Sequence, residues 1–178
     1  MDLDRMNVIL ALGLAVLAVN ALATVYSSNI LASNVEAYLN KLWGLEVSYV
    51  RYKPYVHPFA AIIAKVEIWI PAVELCITNT GGGLVELHID RVSIYKDGER
   101  VAVGEEPISL RLRPWSVECT LASMNRWSVK HFVDVDKRIL APGDYTLVVE
   151  GTLVRQEDGY TIRISGVKLR APLRIQKA

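Results

Sequence analysis

Three histidines, two cysteines and two pairs of adjacent carboxylates are the side chains here with chemistry to offer, and spacing decides what each can do. His57, His88 and His131 stand far apart, and none has a second His or a Cys at the short spacing of a metal-ligand pair. Each reads as a structural histidine. Asp134 and Asp136 beside Lys137 and Arg138 suggest a cation site, but the long run of oxygen ligands that makes a calcium loop is missing. A solvated polar face accounts for them better. Gly81-Gly82-Gly83 runs into Leu84 and Val85 rather than into Gly-Lys-Ser/Thr, so it specifies a turn and not a phosphate cradle. Glu105-Glu106 and Glu157-Asp158 are sequence neighbours, which on an extended chain point to opposite faces or into solvent and do not form an acid–base pair. There is no Gly-x-Ser-x-Gly nucleophile motif. The expectation is a non-enzymatic protein with no catalytic residue, cofactor, metal or small-molecule substrate.

Cys76 and Cys119 allow at most one internal disulfide. Cys119 shares its alternation with Trp115, Val117 and Leu121, whereas Cys76 alternates with Glu74 and Thr78, opposite to Val73, Leu75 and Ile77. If each strand turns its apolar face inward, the two thiols face different sides. One buried and one half-exposed thiol is the expectation, with a disulfide as the alternative.

These side chains must be positioned by elements, and composition shows two kinds. The apolar fraction of 52% and mean hydropathy of +0.25 are high, and the excess lies in the first quarter of the chain. From Val8 to Val25 the run VILALGLAVLAVNALATV carries no charge and reaches the length of a bilayer-spanning helix. Val8, Leu10, Leu12, Leu14, Val16, Leu17, Val19, Leu22 and Val25 supply the apolar surface of this membrane anchor, and Tyr26 stands where an interfacial aromatic belongs.

Three readings of this segment compete. A retained single-pass anchor fits its length. A cleaved signal peptide fits Ala21-Leu22-Ala23, although Asp2 and Asp4 beside Arg5 make a poor positive start. A type IV pilin-like helix is opposed by Met6 and Asn7, which follow Arg5 where a small residue and then a glutamate belong. Gly13 and the alanines at 11, 15, 18, 21 and 23 also let such a helix pack closely on others. The flanking charges, Arg5 against Lys41, nearly balance; the short basic-ended tail is the part more easily left inside, so the C-terminal domain is expected to be extracytoplasmic. The expected partners are the lipid bilayer, through this helix, and a protein partner or second copy. With 20 basic and 19 acidic residues there is no field to attract nucleic acid.

Residues 1–29 are therefore read as tail and transmembrane helix. Residues 30–44 follow as a juxtamembrane amphipathic helix, on the stripe Ile30, Leu31, Val35, Tyr38, Leu39 and Leu42. Beyond Gly44 the period changes to two. Strands are expected over 45–53, 61–70, 72–79, 85–96, 99–104, 108–113, 115–123, 145–154, 160–165 and 167–175, separated by turn chemistry that includes Asp97-Gly98 and Asp158-Gly159. Residues 125–140 break the alternation and read, in their second half, as a short helix or an irregular crossover. Trp43, Tyr49, Tyr52, Tyr55, Phe59 and Trp69, interleaved with Arg51, Lys53 and Lys65, are read mainly as core residues of strands, with a lipid-interface belt as the alternative. The fold class is mainly β, an antiparallel sandwich over 45–178.

The stretch ELCITNTGGGLVELHIDRVSIYKDGERVAVGE, from Glu74 to Glu105, resembles the first half of the type 2 late embryogenesis abundant domain, or WHy domain. A strand ends in an Asn-rich turn, a tyrosine-bearing strand follows, then a tight turn and a short strand ending in glycine. YTLVVEGTLV, Tyr145 to Val154, is similar to that family's penultimate region. Asn79-Thr80-Gly81 departs from the family's Asn-Pro-Asn turn and leaves generic immunoglobulin-like sandwiches open. The resemblance implies an Ig-like, stress-associated or membrane-tethered sandwich without catalysis, and assigns no active-site residue.

Overall fold

The computed structural model describes residues 44–157 and 159–176. The anchor residues Val8 to Tyr26 and the juxtamembrane segment, with Trp43, lie outside them, and among the described residues no helix is long and apolar enough to cross a membrane. In chain order the strands are β1 (Leu45–Tyr52), β2 (Tyr55–Val56), β3 (Trp69–Ile70), β4 (Ala72–Asn79), β5 (Val85–Lys96), β6 (Glu99–Gly104), β7 (Ile108–Leu112), β8 (Val117–Ser123), β9 (Arg126–Trp127), β10 (Phe132–Asp134), β11 (Ile139–Leu140), β12 (Gly143–Glu157) and β13 (Tyr160–Ile175).

They form a β-sandwich. One antiparallel sheet has the order β1-β4-β8; the other runs β13-β12-β5-β6-β9, with β7 pairing the first half of β5 along the edge that β6 pairs in its second half. The period-two pattern explains the layering: Val73, Leu75 and Ile77 of β4 and Leu87, Ile89, Leu147, Val149 and Leu153 of β5 and β12 are buried and belong to one apolar cluster. Each large aliphatic side chain so buried contributes about 1.5–3 kcal/mol. Asn79 is also fully buried, but its amide is spent: Nδ2 donates to the carbonyls of Gly83, Leu112 and Arg113 (2.8, 3.2 and 3.1 Å), and Oδ1 accepts from Gly81 N–H (2.9 Å). The triglycine turn is thus tied to the end of β7.

Turn chemistry sets the hairpins. Asp97 and Gly98 both have positive φ (51° and 79°), the geometry a two-residue turn of primed type requires, and they join β5 to β6. At Gly151 an added Cβ would lie 2.2 Å from the His88 carbonyl oxygen. The pairing shifts there on both sides: Asp90 is skipped on β5 and Gly166 on β13. Paired bulges at one level bend the sheet over its partner, and they explain why the expected strands 160–165 and 167–175 are one strand.

Two other expectations are corrected. Residues 61–70 are not a strand: only Trp69–Ile70 pairs, with Tyr55–Val56, and Ala60–Ala64 is a π-helical turn. The consecutive apolar residues Ala60 to Ala64 carry β-branched isoleucines but no alternation, and the chain has to double back from β1 to β4. The two cysteines do not face apart; they form a disulfide. Cys76 lies directly opposite Cys119 across β4 and β8, and residues opposed in a sheet point to the same side. On β8 Ala122 turns inward while Val117 and Leu121 are exposed, so the apolar alternation of this strand marks the outer face and not the core face. Of the two forms expected for the crossover, the irregular one is found: residues 125–140 hold β9, a 3-10 turn at Val129–His131 and the small β10–β11 hairpin.

Candidate functional site

Several of the polar residues singled out above have local neighbours. His57 Nδ1 accepts from Ala60 N–H (3.4 Å), His88 Nδ1 shares a hydrogen bond with Ser109 Oγ (2.9 Å), and His131 Nε2 lies 3.7 Å from a Glu99 carboxylate oxygen. Among the described residues no group of three or more His, Cys, Asp or Glu is placed to hold a metal ion. Asp134 Oδ1 accepts from Lys137 N–H (2.9 Å) and Arg138 donates to the Val135 carbonyl (2.6 Å), so that cluster builds the β10–β11 turn. Glu105 pairs with Arg91 and Arg126, and Glu150 with Arg91 and Lys168, a row of ion pairs that runs from Arg126 of β9 through Glu105, just past β6, to β5, β12 and β13. Such exposed pairs contribute little each, but they give this face a polar, internally neutralised surface. The Glu157 side chain and Asp158 lie outside the described residues.

The unusual surface is at one end of the sandwich, where β1 finishes and β4 begins. The β2–β3 hairpin leaves from there and carries Phe59, Ile62, Ile63, Val66 and Ile68, exposed by 50 to 78%. The 129–140 crossover leaves from the same end with Val129, Val133, Val135 and Ile139 exposed. Together they hold nine of the fifteen exposed large hydrophobic residues described, so the apolar surface is concentrated and not scattered.

Its roots are well defined. Tyr55 Oη and Ser123 Oγ share a hydrogen bond (3.0 Å), Met124 N–H donates to the Pro71 carbonyl (2.8 Å), and Lys53 N–H donates to the Ala72 carbonyl (2.8 Å). Tyr52 donates its hydroxyl to the Arg138 carbonyl, linking β1 to the crossover, while the Arg138 guanidinium lies 4.9 Å from the Trp127 ring centre. Burial pushes the Tyr52 phenol well above its ordinary range, against the opposing pull of Arg138. Lys130 holds the Glu99 carboxylate below its ordinary value through their hydrogen bond (2.5 Å). These groups fix the base; the tip beyond them is apolar.

No protein-family pattern and no curated protein matches the chain. Solved structures do. A GH2 β-galacturonidase from Eisenbergiella tayi bound to galacturonate is 14% identical over 74% of this chain and 18% of its own, at a TM-score of 0.34. A GH2 β-galacturonidase from the same organism bound to glycerol is 18% identical over 69% of this chain and 18% of its own, at 0.31. The chain thus spans less than a fifth of either enzyme.

Of the aromatic series read as core, Tyr52, Tyr55 and Trp69 are half-buried, whereas Tyr49 and Phe59 are exposed. Ile62 and Ile63, assigned above to a strand, were missed as surface residues. Their signal was in the sequence: Pro58-Phe59-Ala60-Ala61-Ile62-Ile63-Ala64 is apolar without alternation, which neither face of a half-buried strand accommodates.

Proposed function

We propose that this protein is a non-enzymatic, membrane-anchored sandwich of immunoglobulin-like, LEA type 2-like kind, serving as a binding or structural module at the cell envelope with its C-terminal domain extracytoplasmic. The observation that carries the reading is the concentration of exposed apolar side chains at one end of a domain whose sheet face carries a row of ion pairs. The anchor rests on the uncharged run Val8 to Val25.

The finer fold reading is supported by strand order. Labelled as in an immunoglobulin domain, β1-β4-β8 corresponds to A-B-E and β13-β12-β5 to G-F-C. Tyr145 stands at the start of the F position and donates its hydroxyl to the Ala141 carbonyl four residues upstream (2.8 Å), as a tyrosine corner does. The disulfide departs from that pattern, since it joins two strands of one sheet. It does favour an oxidising compartment, hence the extracytoplasmic side. Glu74 to Glu105, the stretch resembling a LEA type 2 domain, spans β4, β5 and β6.

A second reading is a subunit of a surface filament or envelope assembly, which would use the small residues of the N-terminal helix for packing on other helices. Alkaline carbonate extraction of native membranes tests the first reading: the full chain stays with the membrane pellet, and its release discards the anchor.

A further inference from the structure

The tip of the β2–β3 hairpin differs from a surface shaped for a protein groove. Phe59, Ile62, Ile63, Val66 and Ile68 occupy nearly every turn of the loop, and no residue of the π-helical turn is buried. A groove covers one face of a segment; a segment whose apolar side chains are exposed along its length, interrupted only by Lys65 and Glu67, suits a solvent that is itself apolar. The backbone points the same way. Lys65 N–H donates back to the Ala60 carbonyl, as does Val66 N–H (3.3 Å), Ala61 N–H donates to the His57 carbonyl (3.2 Å), and His57 N–H to that of Ile68 (2.8 Å). Hydrocarbon demands that backbone polar groups be satisfied internally, a condition water does not impose.

Lys65 adopts a left-handed conformation (φ 52°) to close this turn, a costly geometry for a residue with a side chain. Isolated π turns and local strain of this sort cluster at functional positions. At the base stand Tyr55 and Trp69, half-buried, the residue types that settle at the headgroup level. Lys65 and Glu67 are the charges within the tip and offset one another, so no electrostatic attraction is built in.

We infer that the Phe59–Ile68 tip inserts into the lipid bilayer as a second membrane contact, separate from the N-terminal anchor. This rests on the anchored reading for one point: the chain is already beside a bilayer. The tip and Gly44 are at opposite ends of β1, whose eight residues span about 26 Å at roughly 3.3 Å each. With residues 30–43 read as a helix at about 1.5 Å each and 27–29 at roughly 3.3 Å each, the intervening sequence reaches about 31 Å. The tether is therefore long enough for the tip to touch the membrane that holds the anchor.

The test uses the full chain reconstituted in phosphatidylcholine vesicles. Because Cys76 and Cys119 are joined, an Ile62→Cys thiol is the one that takes an environment-sensitive fluorophore. Insertion is expected to give blue-shifted emission, quenching by spin-labelled lipid and protection from iodide. The same label at Ala64→Cys in an Ile62→Asp, Ile63→Asp background is expected to lose all three, with the unfolding midpoint of the sandwich preserved. Unshifted, iodide-quenched emission from protein still bound to the vesicles overturns the tip and leaves the anchor standing. Shielding that follows protein concentration and not lipid quencher also overturns it, in favour of a second copy. Chain that carbonate releases, yet whose tip is quenched by lipid when vesicles are added back, keeps the tip and discards the anchor.

Discussion

Replacing both Cys76 and Cys119 by Ser removes a bridge that closes a 43-residue separation between neighbouring strands of one sheet. The chain-entropy relation for that loop gives about 4 kcal/mol at 25 °C. Little is to be added for packing, because the bridge sits on the outer face and Cys119 is exposed; truncation at the sulfurs opens no hole in the core. The loss is expected through the unfolded chain, which gains freedom, and not through broken native contacts. Urea unfolding of the full chain in mild detergent, followed by circular dichroism, measures it. The midpoint should fall by an amount equivalent to a few kcal/mol, up to that ceiling, while the native spectrum stays unchanged. An unchanged midpoint would refute the entropic reasoning, and free thiols in the denatured, unreduced protein would refute the bridge.

Two further outcomes follow from named groups. Tyr145→Phe deletes the hydrogen bond to the Ala141 carbonyl at the start of β12 and is expected to cost about 0.5–1.5 kcal/mol in the same urea assay; no loss would remove the corner from the account. Tyr52 titrates higher in the folded than in the unfolded chain, so the folded state keeps a proton that the unfolded state gives up. Its contribution is complete below the unfolded value near pH 10 and is lost as pH climbs from there toward the folded value, with a slope of up to about 1.4 kcal/mol per pH unit. Urea midpoints across that alkaline window should fall for the parent and fall less for Tyr52→Phe; parallel curves would contradict the buried phenol.

Much of the sandwich was legible because its strands obey the simplest rule. Val73, Leu75 and Ile77, or Leu147, Val149 and Leu153, alternate with exposed or outward neighbours, and Asp97-Gly98 writes its hairpin into two residues. What misled was alternation without burial. The apolar alternation Val117, Cys119, Leu121 of β8 looks like a core face, but β8 is an edge strand whose inward positions are filled by Thr120 and Ala122, and only pairing with β4 reveals which side is which. Pairing is a long-range fact that a single strand does not carry. The β2–β3 tip was misread for a related reason. Isoleucine favours strands on average, yet Ile62 and Ile63 sit where the chain has no strand to pair with, so context overrode propensity. The role of Asp134 in a turn is a local matter, whereas the use of Asn79 as a four-bond clasp needed β7 and β4 brought together.

The most direct test of a retained anchor joined to the sandwich is the intact mass of the protein extracted from native membranes. A mass that includes residues 8–25 along with the sandwich is the expected result. A mass short by the residues up to Ala23 would show cleavage behind Ala21-Leu22-Ala23 and contradict the anchor.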